Sequence, residues 1–129
     1  KEKFWKGYNP IEEGDRSSEI VKLFKHNLEK HYRRLLSGEE EYIFQVQDYA
    51  NLQKLHPNYL STVIKSKTGK SVNSWIAEKT ISEAQAMLKN SNLTAKEIGF
   101  TLGFSEATHF SSYFKRHTGV TPNNYRKSL

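Results

Sequence analysis

Hydrophobic residues recur at spacings of three and four along most of the chain, and no stretch shows the convincing period of two that marks a half-buried strand. The first stripe predicts an amphipathic helix over about residues 17–36, capped by Asp15 or Ser17 and ending before Gly38. The stripe consists of Ile20, Leu23, Phe24, Asn27, Leu28, His31, Tyr32 and Leu35. This spacing predicts an all-α fold.

After a short acidic connector, the pattern predicts alternating short and long helices. His56-Pro57 interrupts the apolar spacing, and Pro57 suits the first turn of a helix that carries Tyr59 and Leu60 inward. Thr94 and Glu97 match a capping box, and Ser105 is the predicted cap of the next helix. The predicted elements are a first helix-turn-helix at about 46–69, a connecting helix at 72–89, a second helix-turn-helix at 94–119 and a last short helix at 121–127.

The chain repeats itself at an offset of 50 residues. Residues 60–75 and 110–125 are identical at the pairs Ser61/Ser111, Lys65/Lys115, Thr68/Thr118, Gly69/Gly119 and Asn73/Asn123. A small residue, Ala50 or Gly99, stands in the first helix of each copy, where a second helix could cross closely. Each copy therefore has the outline of a helix-turn-helix unit, with an extra residue in the second copy at the start of its second helix.

The outer side of the second helix in each unit is small and polar. In the first copy this side carries Asn58, Ser61 and Thr62, and in the second Thr108, Ser111 and Ser112. Such side chains are free to enter a major groove. The connecting helix would extend about 27 Å at 1.5 Å per residue, and successive major grooves on one face of DNA lie roughly 34 Å apart. One chain could thus place both helices on one side of a duplex.

The charge distribution agrees with an anionic partner. Residues 1–41 hold nine Lys/Arg and nine Asp/Glu, whereas residues 42–129 hold eleven and five, so the whole excess of +6 lies in the repeated part.

Cysteine is absent, which excludes disulfides and thiolate metal sites, and no apolar run has the length of a membrane span. We expect a cytoplasmic setting. The first residue is Lys1, so we expect further sequence upstream, and we assign Phe4, Trp5 and Tyr8 to packing.

Two segments resemble a known family. The segment IGFTLGFSEATHFSSYFKRHTGVTPNNYR, residues 98–126, is similar almost residue by residue to the signature of the AraC/XylS family of bacterial transcription regulators. The segment YANLQKLHPNYLSTVIKSKTGKSVNSWI, residues 49–76, resembles the first unit of that family. The resemblance implies an AraC-type DNA-binding domain over residues 42–129, after an N-terminal segment, 1–41, that contains the first helix.

The resemblance also implies what this domain does and which residues do it. It implies sequence-specific binding of promoter double-stranded DNA, with RNA polymerase as a possible further partner and a homodimer formed through an upstream domain. Positions matching base-edge or nearby contacts are Asn58, Ser61, Thr62, Ala107, Thr108, Ser111 and Ser112. Positions matching contacts with the DNA backbone are Lys65, Ser71, Lys115 and Thr121.

The chain departs from the family pattern at several positions. Ser112 and Thr80 replace frequent arginines, and Gly99 replaces the usual alanine. Bidentate recognition of guanine by Arg is therefore not expected from these helix faces.

The histidine spacing does not suit a metal site, and no motif of nucleophilic or phosphate-loop catalysis is present, so we expect no enzyme activity, no metal and no cofactor. The alternative is a helical interaction module that binds an acidic protein.

Overall fold

Seven α-helices make up the part of the chain that the computed structural model describes, which is the backbone of residues 10–129 and the side chains of residues 16–129. No strand occurs within this range, and the all-α prediction is confirmed. Phe4, Trp5 and Tyr8 lie outside the described residues. The helices are α1 (Pro10–Leu36), α2 (Val46–Leu52), α3 (Pro57–Thr68), α4 (Val72–Asn90), α5 (Ala95–Thr101), α6 (Ala107–Thr118) and α7 (Pro122–Lys127).

Short polar side chains fix where the helices begin. The hydroxyls of Ser71, Thr94 and Thr121 each accept a hydrogen bond from a backbone amide in the first turn of α4, α5 and α7. At α5 the bond is reciprocal, because the Glu97 carboxylate accepts from the Thr94 amide at 2.8 Å. These caps satisfy amides that have no partner inside their own helix.

The repeated Thr-Gly pair ends α3 and α6 in the same way. The Thr68 hydroxyl lies 2.7 Å from the Ile64 carbonyl oxygen and accepts from the Lys70 amide at 3.2 Å. Thr118 makes the equivalent contacts in the second copy. The following glycines adopt left-handed φ angles of 80° and 87°, which other residues rarely adopt. The repetition in the sequence therefore encodes one helix ending twice.

The apolar side chains form two separate cores, one at each end of α4. The first core joins α1, α2, α3 and the first turns of α4, and its largest buried side chains are Phe24, Tyr32, Tyr49, Leu35, Leu60 and Ile64. The second joins the last turns of α4 to α5 and α6, and its buried members are Ala84, Leu88, Ile98, Leu102, Phe110 and Phe114. The 19 residues of α4 extend about 28 Å and connect the two units.

Helix α1 is built into the first unit. The hydroxyl of Tyr32 contacts the Thr80 hydroxyl at 2.5 Å and the Ile76 carbonyl oxygen at 3.3 Å. One turn away, Lys79 forms ion pairs with Glu29 of α1 at 2.8 Å and with Glu83 at 2.9 Å. Burial alone would lower the pKa of Lys79, but the two carboxylates outweigh it and raise that pKa. Polar contacts therefore fix α1 to the middle of α4.

The first helix of the second unit crosses α6 at very short range. A Cβ atom added to Gly99 would lie 2.8 Å from the Cβ of Phe110, closer than real Cβ contacts. Ala50 occupies the equivalent place in α2 and is fully buried. A small residue at these positions therefore lets the two helices of each unit pack closely, as the sequence predicts.

Three local expectations are wrong. Helix α1 begins at Pro10, so Asp15 and Ser17 lie inside it and do not cap a helix over 17–36. The N-cap of α6 is Glu106 rather than Ser105. Because α3 and α6 both have 12 residues, the extra residue of the second copy lies in its turn rather than in the helix.

Two residues assigned to the interior are in fact half-exposed. Tyr59 keeps 45% of its surface exposed and Leu23 keeps 47%. Both lie at the margin of an apolar stripe, where the three- and four-residue spacing does not decide which neighbouring helix covers them. Their exposure leaves an apolar side chain on the surface of α3 and another on the surface of α1.

Candidate nucleic-acid interface

Helix α3 presents one polar face away from the first core. Leu60, Val63 and Ile64 are buried, whereas Asn58, Thr62 and Lys65 are exposed and Ser61 is half-buried. The Thr62 hydroxyl donates to the Asn58 carbonyl at 2.9 Å, and the Lys65 ammonium donates to the Gly69 carbonyl at 3.2 Å. Within residues 16–129 no hydrogen bond occupies the side-chain amide of Asn58, which stands at the start of this face with its donor and acceptor available.

Helix α6 presents the equivalent face from the second core. Phe110 and Phe114 are fully buried, while Thr108, Ser112 and Lys115 are exposed. Ala107 and Ser111 are half-buried at the margin of that face. Among the residues that the structure describes, no hydrogen bond occupies the hydroxyls of Thr108 and Ser112, so they can meet a ligand directly.

The two faces correspond position by position. Residues 58, 62 and 65 of α3 are exposed, as are residues 108, 112 and 115 of α6, each 50 positions later. Both helices also end in basic residues: Lys65 and Lys67 in α3, and Lys115, Arg116 and His117 in α6. The structure thus places the predicted base-contacting positions on two matching polar helix faces, each with one lysine, Lys65 or Lys115, whereas Lys67 projects from the opposite side of α3.

The predicted backbone contacts Ser71 and Thr121 stand at the starts of α4 and α7. Their hydroxyls already accept from the amides of Ser74 and Asn124, at 3.1 Å and 3.2 Å. Any anion placed there would therefore meet first-turn amides rather than the cap hydroxyls alone. Helix α4 has 19 residues, whereas α7 has six.

Two basic or aromatic residues have roles that the sequence did not reveal. The Arg126 guanidinium donates to the carbonyls of Leu88 and Ser91 at 3.0 Å and 3.2 Å, so it joins α7 to the end of α4. Tyr59, predicted to face inward, stands exposed next to Asn58 on α3. Neither role has a local signal in the sequence, because each depends on which other helix lies beside the residue.

Membrane-spanning helices and clusters of metal-binding side chains are both absent from the described range. No three His, Cys, Asp or Glu side chains there are arranged to hold a metal ion. None of the helices of residues 10–129 combines the length and hydropathy that a bilayer crossing requires.

Comparison with known proteins identifies the family. The profile of the Helix-turn-helix domain family matches residues 49–128. The chain is 30% identical over 113 residues to the uncharacterized HTH-type transcriptional regulator YobQ of Bacillus subtilis, covering 85% of this chain and 47% of that protein. The chain spans less than half the length of the curated relatives it matches first.

Solved structures agree with this result. The C-terminal domain of AraT, a response regulator from Geobacillus stearothermophilus, matches with a TM-score of 0.74 and 26% identity, covering 85% of each chain. The DNA-binding domain of AdpA, solved in complex with a target DNA, shares the fold with a TM-score of 0.68 and 20% identity over 84% of this chain and 90% of that one. The chain therefore belongs to the AraC-type helix-turn-helix family of DNA-binding transcription regulators.

Proposed function

We propose that α3 and α6 enter two successive major grooves on one side of a promoter duplex and recognise its sequence. The observation that carries this proposal is the equivalence of the exposed positions, in which Asn58, Thr62 and Lys65 recur as Thr108, Ser112 and Lys115. A connecting helix of about 28 Å is compatible with the roughly 34 Å between neighbouring major grooves.

The chemistry of these faces favours adaptable recognition. Asn58 can form two hydrogen bonds with the major-groove edge of adenine, while Ser and Thr hydroxyls can donate to or accept from several bases. Thr108 and Ser112 supply these hydroxyls in α6, and Ala107 offers a methyl group that suits the methyl of thymine. Specificity then comes from several modest contacts rather than from one Arg-guanine pair.

Contacts with the DNA backbone would set the position of both units. Lys65 and Lys115 supply charge beside each face, and the helix starts at Ser71 and Thr121 offer backbone amides to phosphate oxygens. Such contacts hold the protein in register without distinguishing one base pair from another.

The whole regulator would need further partners to control transcription. We propose that it contacts RNA polymerase and forms a homodimer through a domain upstream of this chain, and the greater length of its relatives supports the presence of such a domain. Sedimentation of this chain and of the full-length protein tests the second point. A monomeric chain and a dimeric full-length protein are expected, and a monomeric full-length protein would contradict it.

Separate substitutions in α6 test the assigned roles. Ser112→Ala should change the preferred base at one position and weaken the original site by about 1 kcal/mol, because a base contact is lost. Lys115→Ala should weaken all sequences alike and reduce the slope of log affinity against log salt by about 0.9. Ser82→Ala on the exposed side of α4 is the matched control.

The readout is affinity for a panel of duplexes that differ by single base pairs, measured at several salt concentrations. A changed base preference in the Lys115 variant, or an equal effect of Ser112 and Ser82, would contradict the proposed orientation of α6. A DNA affinity that does not change with salt would contradict the proposed contacts with the DNA backbone, and no measurable affinity for any duplex would favour an acidic protein partner.

A further inference from the structure

Three lysines from two distant parts of the sequence line one groove beside the first unit. Lys25 comes from α1, Lys67 from the last turn of α3, and Lys70 from the turn before α4. The groove has a volume of about 540 Å³ and is completed by Trp75, Thr68, Val21 and Ser18. It does not include the exposed positions 58, 62 and 65 of α3, so it is separate from the proposed base-contacting face.

Trp75 organises this lysine groove. The ammonium nitrogens of Lys70 and Lys25 lie 3.9 Å and 5.1 Å from the centroid of its indole ring. The ring is itself fixed, because its N–H donates to the Thr68 hydroxyl at 3.0 Å and it packs edge-on against Phe24 with 6.4 Å between centroids. Cation-π attraction therefore holds two positive charges on one ordered surface.

The positive charge of the groove is largely uncompensated within the described residues. Lys70 forms an ion pair with Glu78 at 2.7 Å, and no ion pair of Lys25 or Lys67 occurs in residues 16–129. Like charges gathered on one surface repel each other and create a field that attracts an anion. A groove of this kind suits the negatively charged oxygens of a phosphodiester.

The position of the groove indicates which anion reaches it. Lys70 directly precedes Ser71, the N-cap of α4, whose first-turn amides are the proposed backbone contact of the first unit. Lys67 lies in the last turn of α3, about 200° around the helix from Lys65, on the side that meets α1. The phosphate strand that would pass the start of α4, when α3 enters the major groove, would therefore reach the groove through Lys70.

We propose that Lys25, Lys67 and Lys70 form an additional DNA-backbone site that binds phosphates flanking the half-site of α3. This inference rests on the proposed insertion of α3 into the major groove. It gives α1 a direct part in DNA binding, since Lys25 extends the phosphate contacts beyond the helix-turn-helix units.

The test compares the wild type with Lys25→Gln/Lys67→Gln on a 30-base-pair duplex selected from random DNA. The double variant should reduce the log-log salt slope by about two and weaken selected and unselected duplexes by the same factor. Lys30→Gln/Lys89→Gln removes the same charge from exposed positions outside the groove and should change the slope by less than about 0.5. Circular dichroism of each variant would check that it is folded.

Two further measurements sharpen the result. Phosphate-ethylation interference should show contacts beside the first half-site in the wild type that disappear in the Lys25/Lys67 variant. Glu78→Gln should act in the opposite direction and tighten binding at low salt, because it releases Lys70 from its ion pair.

The proposal is overturned if the groove variant keeps the slope and interference pattern of the wild type while the wild type still binds its selected site. That outcome leaves the proposed function intact. A wild type with no preference for its selected site would overturn both. A different result would also overturn the proposal and assign the groove to an acidic protein. In it, the Lys25→Gln/Lys67→Gln variant loses the wild type's binding to poly-L-glutamate but keeps the wild-type slope of log DNA affinity against log salt.

Discussion

Replacing Thr80 by Val tests how α1 is attached to the rest of the fold. Thr80 is fully buried, and its hydroxyl donates to the Ile76 carbonyl at 2.8 Å while contacting the Tyr32 hydroxyl at 2.5 Å. Val has nearly the same volume, so the change removes the hydroxyl without opening a cavity. Tyr32 would keep only its 3.3 Å bond to Ile76. Leaving a buried hydroxyl poorly bonded costs about 1–3 kcal/mol.

Tyr32→Phe should be milder than Thr80→Val. The Thr80 hydroxyl would still bond to the Ile76 carbonyl, so the loss is that of one hydrogen bond, about 0.5–1.5 kcal/mol. The double variant removes both polar groups and leaves neither unsatisfied. Its loss should therefore be smaller than the two single losses together, with a coupling energy of about 1 kcal/mol.

Urea denaturation of the four proteins, followed by circular dichroism, measures these differences. Thr101→Val provides a control, because the Thr101 hydroxyl lies on an exposed surface and bonds within its own helix. Losses that add within about 0.3–0.5 kcal/mol would refute the coupling and the claim that this contact fixes α1 to α4.

Two more changes test packing and titration. Gly99→Ala should lower the free energy of unfolding, measured by urea denaturation, by up to about 2 kcal/mol, because overpacking against Phe110 costs about 1–3 kcal/mol and helix propensity returns about 1 kcal/mol. A more stable variant would contradict the 2.8 Å approach. Burial lowers the pKa of His31, whose Nε2 accepts from the Phe44 amide at 3.0 Å, so stability should fall as pH drops below about 6.5. His31→Gln should remove this dependence, and exposed His26→Gln should retain it.

The sign of the His31 effect follows from its surroundings. The ring is stacked on Phe44, and among described residues its Nδ1 has no hydrogen-bond partner. Burial outweighs the Tyr42 carbonyl, 3.1 Å from Nε2, and the carboxylates of Glu40 and Asp48, all of which favour the charged ring, so the pKa of His31 is lowered on folding. The stabilising contribution of the neutral ring is complete above the unfolded pKa and is lost as pH falls through the folded pKa. Denaturation curves that do not change between pH 7 and pH 5 would show that the ring titrates alike in both states.

Local signals in the sequence predicted much of this fold. The cap hydroxyls of Ser71, Thr94 and Thr121 act on amides only a few residues away, so their role follows from nearby sequence. The same holds for Gly69 and Gly119, whose left-handed conformation ends a helix wherever the chain turns.

Contacts between distant residues could not be predicted in this way. Thr80 was seen as a departure from the family pattern, but its partner Tyr32 lies 48 positions earlier. Gln53, which donates to the Ile20 carbonyl at 3.1 Å, likewise acts across 33 positions. The lysine groove depends on α1 packing against α3, and no spacing within one helix indicates that arrangement.

In the candidate interface, too, some features follow from local sequence and others depend on distant contacts. The exposed polar positions of α3 and α6 follow from helical periodicity, because Leu60 and Phe110 mark the buried side. The exposure of Tyr59 and the internal role of Arg126 depend on what neighbouring helices cover or leave open. Periodicity therefore predicts which side of a helix faces outward better than it predicts the residues at its margin.

Selection of bound sites from random duplex DNA tests the central claim most directly. If both units insert into successive major grooves, the selected duplexes should share two short preferred segments at one fixed spacing of about 10 base pairs between centres. Substitutions in α3 and in α6 should each alter only one segment. A single preferred segment, or two at variable spacing, would contradict binding by two helices held at the ends of α4.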